Sequence, residues 1–333
     1  MIHRRTSIGW LVGLASAGLG FLLVIGVILF MIFTLIRGRS GITYGRHNMA
    51  GNSYYESRIY KRAAAEYTAM IELDPNRPDG YLLRAMAEYR MGAFDKAIAD
   101  NTKAIQLEHR PGGSAAIYYN RGLDYNGKAD IDRAAANLTG VKADREHAIA
   151  DFTQSLDLGD KGTDAYHNRG FQYGQLGKND LAIADLTRVI TERPDDYGAY
   201  MDRGMIYLNT RENDKAAADF QQAIRINPNS ARAWGVLGWA QYLTGDLPTA
   251  IQTDQQALQL DRSQNYVHLN LGLCYAVQGD WNAARQEYEA ILPRVGKVER
   301  SAGLTDIEDA LRKHPDSSAL KHARALFSSA PTH

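Results

Sequence analysis

Residues 163–196, TDAYHNRGFQYGQLGKNDLAIADLTRVITERPDD, and residues 197–230, YGAYMDRGMIYLNTRENDKAAADFQQAIRINPNS, are two copies of one 34-residue pattern. Both carry an aromatic at the fourth place (Tyr166, Tyr200), Arg-Gly at the seventh and eighth (Arg169-Gly170, Arg203-Gly204) and tyrosine at the eleventh (Tyr173, Tyr207). Alanine follows at the twentieth place (Ala182, Ala216) and aspartate at the twenty-third (Asp185, Asp219). A repeat this long is read before any local helix assignment, because each copy is one supersecondary element that needs its neighbours. Working outward, seven repeats begin at Tyr44, Pro78, Ala115, Thr163, Tyr197, Ala231 and Asn265. Glycine recurs at the eighth place as Gly51, Gly122, Gly170, Gly204, Gly238 and Gly272, and alanine fills the twentieth in all seven, from Ala63 to Ala284.

Each feature has a mechanical reason. Small residues at places eight and twenty let two helices of a hairpin cross closely, and the aromatics fill the volume on either side. Gly92, Gly177 and Gly245 near the fifteenth place separate the helices, while Pro75, Pro194 and Pro228 stop several second helices. One hairpin cannot bury its apolar faces alone, so copies must stack. The expected fold is therefore all-α, built from paired antiparallel helices over residues 44–298.

This spacing resembles the tetratricopeptide repeat family, and the resemblance covers roughly residues 44–298. It implies a right-handed α-solenoid whose inner wall is formed mainly by the second, fifth, ninth, twelfth and thirteenth places of each first helix. Those places hold Leu82, Met86, Tyr89, Tyr119, Leu123, Phe171, Met201, Met205, Leu208, Trp239, Tyr242, Leu243, Tyr266, Leu269 and Leu273. An apolar groove so lined suits an amphipathic helix or an extended peptide, with Met201, Met205 and Trp239 as anchors. The basic clamp for carboxyl tails known in this family is not evident, since Arg90 is the only basic residue at a thirteenth place.

Two regions break the pattern. In the third repeat Gly122 and Ala148 are separated by 14 more residues than the spacing requires, and residues 128–139 align with 142–153 as a duplication. The insertion reads as a loop or as an additional short helix from Ile131 to Leu138, the alanine content favouring the helix. Beyond Val298, in residues 299–333, Thr305 with Glu308 three residues on predicts a helix start, and Ser318–Phe327 predicts a second helix. These helices would cap the last repeat, with Ser328–His333 frayed.

The head of the chain differs in kind. After a short basic tail, residues 1–9, the run from Trp10 to Ile36 contains no charged residue, and a basic linker, residues 37–43, follows. A helix of that length would span about 40 Å, enough to cross the roughly 30 Å hydrocarbon layer, so residues 10–36 are expected to be a retained transmembrane helix contacting the lipid bilayer. A cleaved signal would have a shorter apolar core. A short basic tail resists translocation, which favours an inner-membrane protein of a bacterial envelope with its body in the periplasm. The opposite orientation would set Arg37–Arg62 against anionic inner-leaflet lipid.

Charge and chemistry exclude other classes. Lys plus Arg and Asp plus Glu are 38 each, and residues 1–62 hold eight basic residues against the single acid Glu56. The rest of the chain is thus net acidic, and no nucleic-acid partner is expected. One cysteine, Cys274, excludes disulfide frameworks and thiolate zinc sites. The nine histidines form no metal-ligand spacing, and no phosphate loop or nucleophile elbow is present, so neither catalysis, a cofactor nor a small-molecule substrate is expected. The acids have a structural reading instead. Arg84, Arg121, Arg169 and Arg203 at the seventh place accompany Asp100, Asp151, Asp185 and Asp219 at the twenty-third, whereas Leu237 and Leu271 accompany Thr253 and Glu287. Such covariation predicts ion pairs between the two helices of each hairpin. Anchor and repeats together imply a membrane-anchored scaffold holding protein or peptide partners. A periplasmic holding chaperone or assembly factor, and an accessory subunit of an envelope enzyme complex, are the alternatives.

Overall fold

The computed structural model describes residues 41–329; the anchor segment 10–36, its flanks 1–9 and 37–40, and residues 330–333 lie outside the described residues. The described chain is helical with no strand, in two compact bodies that meet in sequence at Asp160 and Lys161. No helix of the described residues is long and apolar enough to cross a membrane.

The first body contains α1 (41–56), α2 (Tyr60–Leu73), α3 (Pro78–Arg90), α4 (Phe94–Leu107), α5 (Ala115–Ala134) and α6 (Leu138–Asp157). The second contains α7 (Thr163–Gln175), α8 (Asn179–Glu192), α9 (Tyr197–Asn209), α10 (Asn213–Ile226), α11 (Ala231–Thr244), α12 (Leu247–Leu260), α13 (Asn265–Gln278), α14 (Trp281–Ile291), α15 (Lys297–Lys313) and α16 (Ser318–Ser329). Within each body successive helices pack in hairpins, and each hairpin stacks on the next through its second helix.

The hairpin core is one contact repeated. A β-carbon at Gly122 would lie 2.7 Å from the Phe152 ring, and one at Gly204 would lie 2.6 Å from Phe220. Glycine at the eighth place therefore makes room for the large residue at the twenty-fourth. Tyr67, Phe152, Leu186, Phe220 and Tyr288 fill that slot and are almost wholly buried. Two repeats break the rule. The slot holds Asn101 in the second and Asp254 in the sixth, and both are buried.

The turn within each hairpin has a second invariant. The fifteenth place adopts a left-handed conformation as Gly92, Gly177, Gly245 and Gly279, and also as Arg58 (φ 60°) and Arg211 (φ 64°). A non-glycine residue there is strained by roughly 1 kcal/mol. Arg211→Gly is expected to raise stability by somewhat under ~1 kcal/mol, because glycine loses more chain entropy on folding. A chemical-denaturation midpoint unchanged or lowered by the substitution would refute this.

The third repeat departs from expectation. No separate helix covers Ile131–Leu138: α5 continues to Ala134, the chain turns at Ala135–Asn137, and α6 starts at Leu138, where the Asn137 side chain accepts from the Gly140 amide at 3.1 Å. The left-handed turn residue is Ala136 (φ 58°), seven places beyond the usual one. The 14 inserted residues are thus split into seven on each helix, about two turns apiece, with the first copy running from the end of α5 over the turn into α6 and the second lying wholly on α6. Continuing existing helices costs no new nucleation, which a separate short helix would require. Ile131 and Leu138 at this projecting tip are 53% and 75% exposed.

The carboxyl-terminal end also differs. α15 begins at Lys297 rather than Thr305, with Glu299 accepting from the Gly296 amide at 3.2 Å. Thr305 is a mid-helix residue whose hydroxyl donates to the Ser301 carbonyl. Burial of Arg300, Gly303 and Ile307 on one stripe outweighs the local capping pattern. Ahead of Pro293, α14 stops at Ile291 after 11 residues.

Candidate protein-binding surface

The arginines at the seventh place organise each hairpin. Arg84 donates through Nε and Nη2 to Asp100 at 2.6 and 2.8 Å, and Arg121 meets Asp151 at 2.8 and 2.7 Å across the insertion. Arg169 reaches Asp185 at 2.8 Å through both nitrogens, and Arg203 reaches Asp219 at 2.8 and 2.7 Å. The hydrogen bond to the paired aspartate raises the pKa of each arginine. A further contact had no counterpart in the sequence reading. Nη1 of Arg84, Arg121 and Arg203 donates to a threonine of the preceding hairpin, Thr68, Thr102 and Thr187 respectively. Each of these three arginines ties its own two helices and the hairpin before it.

Repeats one and seven use a different pair. His47 Nδ1 lies 2.6 Å from Glu66 Oε2, and His268 Nδ1 lies 2.6 Å from Glu287 Oε2. In both, histidine replaces the aromatic at the fourth place, and the longer glutamate replaces aspartate at the twenty-third. Histidine standing where five repeats have Tyr or Trp was the available signal.

The expected groove is only partly open. Met201 is 4% exposed and packs with Ala216 and Phe220, and Leu273 is 2% exposed. Both are core residues rather than wall residues, because α9 turns the fifth place of its repeat, and α13 the ninth, toward neighbouring helices. Trp239, Tyr242 and Leu269 join Leu273 in one apolar cluster with Ile307 and Ala310 of α15. A β-carbon on Gly303 of α15 would lie 3.1 Å from Leu269. Burial, with smaller contributions from Cys274 and from Asp306 of α15, pushes the Tyr242 hydroxyl up to about 12. The cap therefore reaches Leu269 and Tyr242, and Trp239, stacked on Tyr242 and packed against the same cluster, is not a free anchor. Tyr266 is half-buried, with its hydroxyl donating to the Arg232 carbonyl. Phe171, Met205 and Leu208 are half-buried, and Leu243 is at the edge of exposure.

In the first body the surface stays open. Leu82 and Tyr119 are half-buried, the latter against Phe152. Met86, Tyr89 and Leu123 line a cavity of about 270 Å³ between α1, α3 and α5. Tyr55, Ala85, Arg90 and Asn120 complete its walls, and Asn101 and Asp124 lie at its base. Asn101 donates through Nδ2 to Asp124 Oδ2 at 2.7 Å, leaving its own Oδ1 buried without a partner. Burial pushes the Asp124 carboxyl up to about 7, with Glu88 and Asp151 adding to the rise and Asn101 and Arg121 opposing it. Asn101 and Asp124 escaped the sequence reading because they occupy core places. The signal at Asn101 was a polar residue where five of the seven repeats carry Tyr, Phe or Leu, whereas the place of Asp124 varies between polar and apolar residues and gave none.

Comparison with known proteins agrees with this architecture. A family profile described as tetratricopeptide repeat matches residues 48–114, 172–231, 202–265 and 255–298, together more than half of the chain. Human tetratricopeptide repeat protein 13 is 31% identical over 127 residues, which are 38% of this chain and 12% of that protein. The chain thus aligns with only about an eighth of that curated relative. The C-terminal part of a TPR repeat-containing protein from Cytophaga hutchinsonii superposes with a TM-score of 0.58 at 15% identity, covering 82% of this chain and 97% of the other. A tetratricopeptide repeat protein from Parabacteroides merdae gives 0.54 at 15% identity, covering 86% and 99%. At such identities the likeness is one of fold. With its 34-residue period, stacked hairpins and matching profile, the chain belongs to the tetratricopeptide repeat family.

Proposed function

We propose that the protein is a scaffold, tethered to a membrane through residues 10–36, that holds a segment of a protein partner against the open face formed by α1, α3 and α5. The observation carrying this reading is the cavity at Met86, Tyr89 and Leu123, an apolar surface left uncovered while α15 packs near Leu269 and Tyr242 at the carboxyl end. The uncharged run from Trp10 to Ile36 supports the tether. A tether raises the effective concentration of partners in the same membrane, so a modest groove affinity suffices. The partner is accordingly a membrane or envelope protein, and the body lies in the periplasm of a bacterial-type cell.

A photo-crosslinker at Met86 is expected to label a defined partner in intact membranes, while the same group at Lys103, exposed on α4, labels little. The full chain should remain with membranes after alkaline carbonate extraction, and a deletion of residues 10–36 should release it. In spheroplasts, added protease should digest the body. Equal labelling at the two positions would overturn the binding face, and release of the full chain by carbonate would overturn the tether.

A further inference from the structure

We propose that the cavity between α1, α3 and α5 receives one basic side chain, lysine or arginine, from the bound partner segment. The inference rests on the scaffold reading and specifies what its open face recognises.

The base of the cavity offers acceptors. Asn101 and Asp124 are 1% and 2% exposed, and the contact between them spends the asparagine's donor on the carboxylate. Asn101 Oδ1 is left buried with no partner, beside a carboxylate that forms no ion pair among the described residues. A buried acceptor left unmade is costly, and a group with several donors removes that cost at both oxygens. An ammonium has three donors and a guanidinium five. The local cations are already committed. Arg84 and Arg121 are bidentate on Asp100 and Asp151, and Lys96 lies beside Glu88, which leaves Asp124 as the acid without a cation of its own among the described residues. Exposed Arg90 stands at the mouth, its Nε donating to the Tyr55 hydroxyl at 3.1 Å.

The walls suit the stem of such a side chain. Tyr55, Tyr89, Met86 and Leu123 line it with aromatic and apolar surface, against which methylenes pack while the charged end goes inward. About 270 Å³ admits one long side chain and excludes a helix. The polarity is the reverse of a basic clamp for carboxylates.

Ionisation gives a second handle. The groups facing Asp124 are Glu88 and Arg90 from α3, Asn101 from α4, Asp151 from α6, and Arg121 on its own helix. Burial holds the Asp124 carboxyl near half protonation at neutral pH. A bound cation needs the ionised form, so binding releases a proton and the affinity rises with pH.

The test uses the full-length chain in detergent and phage-displayed random dodecapeptides as probe. Recovered peptides are expected to share one lysine or arginine among apolar residues. Asp124→Asn should weaken them about tenfold or more, a step of roughly 1.4 kcal/mol per tenfold. Norleucine in place of the basic residue should do the same, with little further loss when both changes are combined. Met86→Lys, at an exposed position that tolerates change, should also block them by repulsion. Wild-type affinity should climb severalfold from pH 6 to pH 8, and the Asp124→Asn variant should lose most of that slope, the remainder coming from Glu88, whose carboxyl burial also raises to about 7. Circular dichroism verifies that both variants stay helical. Peptides recovered without a basic residue, or bound equally by D124N, would overturn the cation seat and leave the scaffold standing. Recovery of no peptide at all counts against both.

Discussion

Asp254→Leu is expected to stabilise the second body by about 2–4 kcal/mol at pH 7. Asp254 is completely buried in α12, facing Gly238, and neither carboxyl oxygen has a hydrogen-bond partner. Five repeats place Tyr, Phe or Leu in this slot, and Leu186 over Gly170 shows that leucine fits. Burial raises the carboxyl from its ordinary 3.8 to about 8. The folded chain therefore holds this proton more tightly than the unfolded one. Stability is unaffected below pH 3.8, declines as pH rises toward 8, and levels off above it. At pH 7 the deficit approaches ~4 kcal/mol, since each pKa unit is about 1.4 kcal/mol. Thermal melts of wild type and variant should converge near pH 4 and separate by pH 8. A gap constant across that range would show that the carboxyl is not the cause.

Arg203→Ala should be the most damaging single change among the hairpin pairs, lowering stability by about 3 kcal/mol. It strands Asp219, 5% exposed, without its bidentate donor, and it removes the bond to Thr187. The penalty comes mainly from the orphaned carboxylate rather than from lost attraction. The chain supplies its own control. Leu237 and Thr253 occupy the equivalent places in the sixth repeat, so Arg203→Leu combined with Asp219→Thr should recover most of the loss. Urea unfolding of the two single variants and the double variant measures the coupling. A double variant no more stable than Arg203→Ala would mean the arginine acts chiefly through Thr187.

What the sequence revealed and what it withheld divide along one physical line. Arg84, Arg121, Arg169 and Arg203 found their aspartates because both members of a pair recur at fixed places, so one chain supplies several observations of the same contact. The projecting tip at Ala136 and the start of α15 at Lys297 occur once each. At such points only local cues were available, and both Ile131–Leu138 and Thr305 looked adequate locally. Continuity with α5 and α6 decided the first, and burial of Ile307 against the last repeats decided the second. The groove erred for a related reason. Place numbers say which way a residue points, but not whether a later helix returns to cover it, as α15 does at Leu269. The cavity base was hidden because Asn101 and Asp124 lie at places assigned to packing.

The seven-and-seven insertion in the third repeat implies a rule for how such hairpins change length. Seven residues advance a helix by nearly two full rotations, an angular error of only about 20°. Lengthening both arms by that amount carries the tip outward by roughly 10 Å while every side chain below it keeps its bearing. Insertions of five or six per arm would swing the distal faces through a large angle and bare the apolar stripe. Hairpin height is in this sense quantised, with the heptad as its step. A tandem duplication of 14 residues meets the condition in a single genetic event. Excision of one copy is an equally clean step back, so the projecting tip is a module that can be gained or lost without disturbing the stack that bears it.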